Sequence, residues 1–164
     1  MTKQNVFNTK RLNIKALDTP LGSNELCQLV CILSDEVTEH LPPSFQGITT
    51  EHAAKTWLNE QVQSSQVYGL YLNEMAQLAG LLIIYVENHH AHIGYLFAKS
   101  HWGKGLATEL LTGLIAYGKS QNDWHVINGG VSTENTASAH VLTKQGFVKT
   151  PSNSNDMLHF ELTL

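Results

Sequence analysis

From Val67 to Ala98 the apolar positions follow the short period of extended chain, in runs over Val67–Leu72, Ala76–Val86 and His90–Ala98 cut by Asn73-Glu74 and Asn88-His89. Strands joined by such brief polar breaks form a meander. The middle run, Leu78 to Val86, is apolar on both faces, which predicts a central strand covered by helices on both sides. Before it, Phe7–Leu17 alternates as an opening strand. Ser23 or Asn24 can cap a helix bearing Leu26, Leu29, Val30 and Leu33, and Asp35–Leu41 leads into a loop at Pro42-Pro43. Thr49 or Thr50 starts a second helix to about Ser64, with Ala53, Trp57 and Val62 turned inward. After the meander, Gly103–Lys119 carries an apolar stripe of Ala107, Leu110, Leu111, Leu114 and Ile115. Trp124–Val131 reads as a strand, Thr136–Lys144 as a short helix, and Phe147–Thr150 with Met157–Leu162 as a closing hairpin. With no repeat or linker, this order predicts one α/β domain over residues 1–164.

Composition narrows the class. A chain of 164 residues with 42% apolar content can bury a real core and still carry a cleft. The net charge of −4 provides no general attraction to nucleic acid or anionic lipid, and no apolar run is long enough to span a bilayer. No secretory signal opens the chain, so a cytoplasmic enzyme or binding module is expected. Cys27 and Cys31, four apart on a helix, read as small buried hydrophobes; a zinc site would need two further ligands. Alternation puts His90 and His92 on one face, but no nearby carboxylate or cysteine completes a set, so no metal is expected.

The chemistry concentrates in the stretch from His92 to Glu109. A strand ends there and a helix begins with Gly103 and Gly105 in its first turn, where a ligand can approach the unpaired backbone N–H groups. The helix dipole favours an anion at the same place, so the outline is that of a phosphate site. A Walker loop fails on spacing, because Gly94 to Lys99-Ser100 is one residue short; a dinucleotide fingerprint fails because Gly103-Lys104-Gly105 is followed by Thr108. On these residues alone, glycines that only let the chain turn tightly remain an equal reading.

The segment Trp102-Gly103-Lys104-Gly105-Leu106-Ala107 resembles the cofactor motif of the GNAT family of acetyl-coenzyme A-dependent N-acetyltransferases, with Trp102 in place of the usual Gln or Arg. Ile93-Gly94-Tyr95, then Thr108-Glu109, and Glu134-Asn135-Thr136-Ala137-Ser138 followed by Gly146-Phe147 resemble its ribosomal-protein-alanine N-acetyltransferase branch. Arg11-Leu12, Leu41-Pro42 and Trp57-Leu58 also have counterparts there. The resemblance implies a mixed, mostly antiparallel sheet of seven strands with about four flanking helices, splayed between the fourth and fifth strands. It places acetyl-CoA in the gap as co-substrate. Leu96, Phe97 and Ala98 would pair with its pantetheine arm, the segment Trp102, Gly103, Lys104, Gly105, Leu106, Ala107 and Thr108 would hold its pyrophosphate, and Asn135 and Ser138 would reach it from the far side. It further implies an amine acceptor such as a protein N-terminus, no direct role for nucleic acid or membrane, and a monomer or homodimer.

Acyl transfer to an amine needs a base for the ammonium, a donor for the developing oxyanion and a proton for the leaving thiolate. An amide near Phe97 or Ala98 is the expected oxyanion donor. Where many relatives place Glu before Ile-Gly-Tyr, this chain has His92, whose imidazole suits a base near neutrality; Glu87 and Glu134 are the alternatives. Leu142 stands where many GNAT enzymes carry a proton-donating Tyr, which leaves Ser138 as the group able to serve the thiolate. The competing roles are plain: a solvated histidine, a surface carboxylate, a helix cap. A small-molecule amine acceptor, or an acyl-CoA sensor without chemistry, are the rival functions.

Overall fold

The computed structural model describes residues 5–17, 20–73 and 76–164. Eight strands make one sheet: β1 (Asn5–Asn8), β2 (Leu12–Ala16), β3 (Gln66–Leu72), β4 (Gln77–Glu87), β5 (His90–Phe97), β6 (Val126–Ser132), β7 (Val148–Thr150) and β8 (Met157–Thr163), in the order β1-β2-β3-β4-β5-β6-β8-β7. Five α-helices accompany them: α1 (Ser23–Ile32), α2 (Asp35–Thr38), α3 (Glu51–Ser64), α4 (Leu106–Ser120) and α5 (Thr136–Lys144). Among the described residues no helix is long and apolar enough to cross a membrane.

The expected opening strand is a hairpin, which raises the strand count from seven to eight. Thr9 N–H bonds Leu12 O at 2.8 Å, and the Thr9 hydroxyl accepts from Leu12 N–H, so Thr9-Lys10-Arg11 turns the chain between β1 and β2. Two cores lie on the two faces of the sheet. On one, Leu12, Ile14, Leu70, Leu82, Ile84 and Ile93 pack against Leu110, Leu111 and Leu114 of α4 and Leu142 of α5. On the other, Leu81 and Leu96 pack with Leu29 and Ile32 of α1 and Ala54, Trp57 and Leu58 of α3. Helices therefore cover both faces of the first two-thirds of β4, whose last residues, Tyr85 to Glu87, run out into solvent.

Several local expectations change. Thr50 caps α3 by accepting from Ala53 N–H at 3.1 Å, but α1 is preceded by Gly22 and has no side-chain cap. Val62 is exposed, because the buried stripe of α3 is Ala54, Trp57 and Leu58. Cys27 and Cys31 are exposed rather than buried: the inward face of α1 is set by Leu29 and Ile32, and the cysteines fall on its flank. Strand β6 begins two residues after Trp124, whose ring is buried against Tyr117 of α4 instead of joining the ladder.

Gly80 controls how closely β4 and β5 approach. A Cβ there would lie 2.4 Å from the backbone oxygen of Leu96, a contact only backbone movement could relieve. The site below is built on the other edge of β5.

Candidate active site

Every neighbouring pair of strands in the sheet is antiparallel except β5 and β6, which run parallel and pair only from His90–Val126 to Ile93–Gly129. Beyond Ile93 the two strands separate. β6 continues on its other side with β8, pairing Gly130 to His159 and Ser132 to Met157, while β5 continues with β4. The splay expected between the strand ending near Ala98 and the next one is thus a place where each strand keeps one neighbour and releases the other.

Antiparallel alternation decides which main-chain groups face the opening. Ala98 N–H is given to Ala79 O at 2.9 Å, which fixes Leu96 and Gly94 in the same orientation toward β4. Tyr95 and Phe97 consequently direct their backbone toward the gap. Phe97 O already accepts from the Trp102 indole N–H at 2.9 Å, leaving the Phe97 N–H as the candidate oxyanion donor. The Ala98 amide is committed elsewhere and is withdrawn from that role.

The glycines stand just ahead of α4 rather than inside its first turn, separated from β5 by a single 3-10 turn at Lys99–His101. Gly103 (φ 71°) and Gly105 (φ 76°) are both left-handed, a conformation that costs other residues about 1–2 kcal/mol. The first backbone bond of the helix is Glu109 N–H to Gly105 O, so the N–H groups of Leu106, Ala107 and Thr108 have no partner within it, and no side chain caps them. A Cβ at Gly103 would meet nothing within 4 Å. Open space over unpaired donors at the positive end of a helix is what a phosphate group requires.

The loop is held from behind. Arg11, in the β1–β2 turn, donates from Nη1 to Lys104 O at 2.9 Å and from Nε to Glu109 Oε2 at 2.7 Å. Glu109 also accepts from the Thr9 hydroxyl and the Arg11 backbone N–H, both at 2.6 Å. Burial works to raise the Glu109 pKa, but the Thr9 and Arg11 donors outweigh it and hold the carboxyl below its ordinary value.

On the far side of the gap, Asn135 caps α5 by accepting from Ser138 N–H at 3.2 Å. The cap fixes Ser138 in the helix's first turn. Replacing Asn135 with Ala should cost about 1 kcal/mol of stability, read as the shift in a urea midpoint at constant slope.

These elements enclose a cavity of about 800 Å³, within the range of small-molecule sites. Leu96, Phe97, Trp102, Gly103, Gly105, Leu106, Ala107, Thr108, Asn135 and Ser138 line it. Ala98 lines a separate cavity of about 290 Å³ beside Cys27 and Cys31, and Lys104 turns its carbonyl to Arg11. His92 and Glu87 are not on the cavity wall. His92 pairs with Asn128, next to the last joined pair of the splay, with its side chain exposed on the face opposite Ile93. Glu87 pairs with His90, two residues or about 7 Å further down the hairpin than His92.

The cavity also gathers groups that no sequence motif had marked. His40, after α2, faces Glu134 with Nδ1 3.5 Å from Oε2, joining the two walls. Lys99 pairs with Glu36. Burial, with the Lys104 charge second, lowers the His101 pKa. Tyr95, part of the Ile-Gly-Tyr run but assigned no role there, also lines the gap. Among the described residues no three His, Cys, Asp or Glu side chains come together as a metal site. His89 instead stacks on His125 at 4.5 Å, and His90 Nδ1 meets Asn128 Nδ2 at 3.0 Å.

The acetyltransferase (GNAT) domain model matches residues 11–148, from the turn that braces the glycine loop to the start of β7. The chain belongs to the GNAT family. An uncharacterised N-acetyltransferase of Bacillus licheniformis, p20, is 38% identical to this GNAT chain over 47% of its length, which spans 43% of that relative. Two solved GNAT structures share the fold at low identity. RimL, a ribosomal L7/L12 alpha-N-protein acetyltransferase in complex with coenzyme A, superposes with a TM-score of 0.80 at 15% identity, covering 98% of each chain. Spermidine N-acetyltransferase of Vibrio cholerae, in complex with coenzyme A and spermine, gives 0.76 at 16% identity over 93% of this GNAT chain and 95% of its own.

Proposed function

We propose that the protein is an acetyl-CoA-dependent N-acetyltransferase acting on a primary amine, with a protein N-terminal α-amine as acceptor. The observation that carries this reading is the cavity itself: it runs from unpaired amides at a glycine-led helix start, along the released edge of β5, to the point where β5 and β6 part. That is an anion site joined to an extended slot with backbone donors.

Acetyl-CoA supplies the activated thioester. Amides between Gly103 and Thr108 hold its pyrophosphate, the Phe97 edge of β5 and the Asn135 side chain flank its pantetheine arm, and Phe97 N–H supports the charge that develops on the acyl oxygen. His92, which stands off the cavity wall, takes the amine proton through water, and Glu87 is set further back. As the C–N bond forms and the C–S bond breaks, Ser138 gives a proton to the sulfur and recovers one from solvent. His92 projects from the face of β5 opposite Ile93, whereas Ser138 is on α5, which packs on the Ile93 face.

The ribosomal-protein-alanine resemblance supports the N-terminal acceptor. A second reading, a polyamine, is favoured by Glu36, Glu39 and Glu134 on the cavity wall, which suit a polycation. The test is a thermal-shift titration with acetyl-CoA beside ATP and NAD, followed by thiol release with an alanine-initiated peptide and with spermidine. Stabilisation by acetyl-CoA alone and turnover of the peptide support the proposal; turnover of spermidine alone replaces the acceptor; stabilisation without thiol release leaves an acyl-CoA sensor. His92→Ala should lower kcat/KM by about 10²-fold. An unchanged kcat/KM takes His92 out of the mechanism.

A further inference from the structure

The hydroxyl of Tyr95 is the unexplained group in this cavity. Its ring is packed on the α4 face of the sheet, opposite Leu82, and its oxygen is inaccessible to solvent yet makes no hydrogen bond of good geometry. A buried hydroxyl without a partner is unfavourable in a folded chain, and persists where something else supplies the partner. The Ser138 hydroxyl is close enough to act on it. Burial pushes the Tyr95 phenol up to about 12, against a smaller downward pull from the Ser138 hydroxyl. At working pH it is therefore neutral, a donor rather than a base.

We propose that Tyr95 is a positioning residue that donates its O–H to Ser138 Oγ when the cavity is filled, turning the Ser138 hydrogen toward the leaving sulfur. This rests on the acetyl-CoA reading above and deepens it.

The placement argues for that division of labour. Tyr95 is two residues past Ile93, the last β5 residue paired with β6, so it stands at the inner end of the slot. The glycine-led helix start is at the outer end, which puts the thioester of an extended acyl-CoA near Tyr95 when its pyrophosphate is at Gly103–Thr108. Ser138 has its N–H bound by Asn135, so its backbone is fixed and only its hydroxyl rotates. A hydroxyl in the first turn of a helix is readily lost to a backbone carbonyl one turn back. A phenol donating to Oγ occupies a lone pair and leaves the serine hydrogen free for the cavity. Catalytic hydrogen bonds of this kind are commonly long before ligand binds and shorten in the complex.

Tyr95→Phe keeps the ring and removes only the oxygen. The expected result is an unchanged or higher melting temperature without ligand, an acetyl-CoA KM within about twofold, and kcat lower by about 10²-fold. Ser138→Ala should show a similar kcat loss. The double variant should be no slower than Ser138→Ala alone, because Tyr95 acts through Ser138. Thiol release is measured with whichever of the alanine-initiated peptide and spermidine the wild type turns over faster. An unaltered kcat, multiplying losses in the double variant, or a melting temperature several degrees lower for ligand-free Tyr95→Phe overturns the proposal. Failure of acetyl-CoA to stabilise the wild type overturns the functional reading itself.

Discussion

Gly105→Val is expected to fold and to lose the stabilisation that acetyl-CoA should give the wild type. Gly105 holds φ 76° at the N-cap of α4, so a β-branched residue there faces a backbone cost of about 2 kcal/mol that it can relieve only by leaving the left-handed region. Relief rotates the peptide planes on either side. The N–H groups of Leu106, Ala107 and Thr108 then no longer converge, and a phosphate loses its donors together. Sterics add little, since a Cβ would meet only Arg11 Nη2 at 3.7 Å. Ligand at about 100 times its Kd stabilises a native protein by roughly 2.7 kcal/mol, so the wild-type shift is large enough to lose visibly. Gly105→Ala should weaken binding less, and Thr112→Ala, on the outer face of α4 with its hydroxyl on Thr108 O, should leave the shift intact. A full acetyl-CoA shift in Gly105→Val would mean that the anion does not sit at this helix start.

How much of this was legible in the chain depends on the range over which each feature is decided. Period and punctuation fixed the meander within a residue or so, because Asn88-His89 is a two-residue turn with both residues left-handed (φ 50° and 66°) and the apolar run of β4 is buried on both faces. Helix α5 was legible to the residue, since Asn135 is a strong cap. The β1–β2 hairpin was not. Its turn, Thr9-Lys10-Arg11, carries neither glycine nor proline, and alternation continues through it. The cysteines misled because residue type predicted burial where helix phase decided exposure. The glycine loop was legible as two tight turns before a helix, yet the pairs around it join residues remote in sequence: His40 with Glu134, Lys99 with Glu36, Arg11 with Glu109. Such pairings depend on how the sheet curves and where it opens, and no local pattern encodes that. Even the edge of β5 was half legible, because the alternation that commits Ala98 and frees Phe97 is set by the register with β4.

The remote pair with the largest consequence is the one behind the glycine loop. Glu109→Gln should destabilise the protein by about 2–3 kcal/mol at pH 7 and raise the KM for acetyl-CoA. The carboxylate serves the Thr9 hydroxyl, the Arg11 backbone N–H and the Arg11 guanidinium at once, with its own side chain only 18% exposed. Glutamine preserves volume but replaces one acceptor oxygen with an NH2 group. Either the guanidinium then meets a donor, or the β1–β2 turn loses both of its bonds, and hydrogen bonds to charged groups are worth about 1.5–3 kcal/mol each. Exposure of the Arg11 side chain, at 43%, keeps the total well below their sum. The pH dependence gives the effect its signature. Glu109 titrates below its ordinary value in the folded chain, so its contribution is fully present above the unfolded Glu pKa of about 4.3 and is lost as pH falls through the folded value. Urea unfolding at pH 7 and again below pH 4 should therefore show the gap between wild type and Glu109→Gln shrinking with acid. A gap of constant size would assign the loss to packing and not to charge. Because Arg11 also holds Lys104 O, the same substitution should loosen the loop that carries Gly103 and Gly105, and on the proposed reading the stability of the β1–β2 turn is then coupled to affinity for the anion on the other side of the helix start.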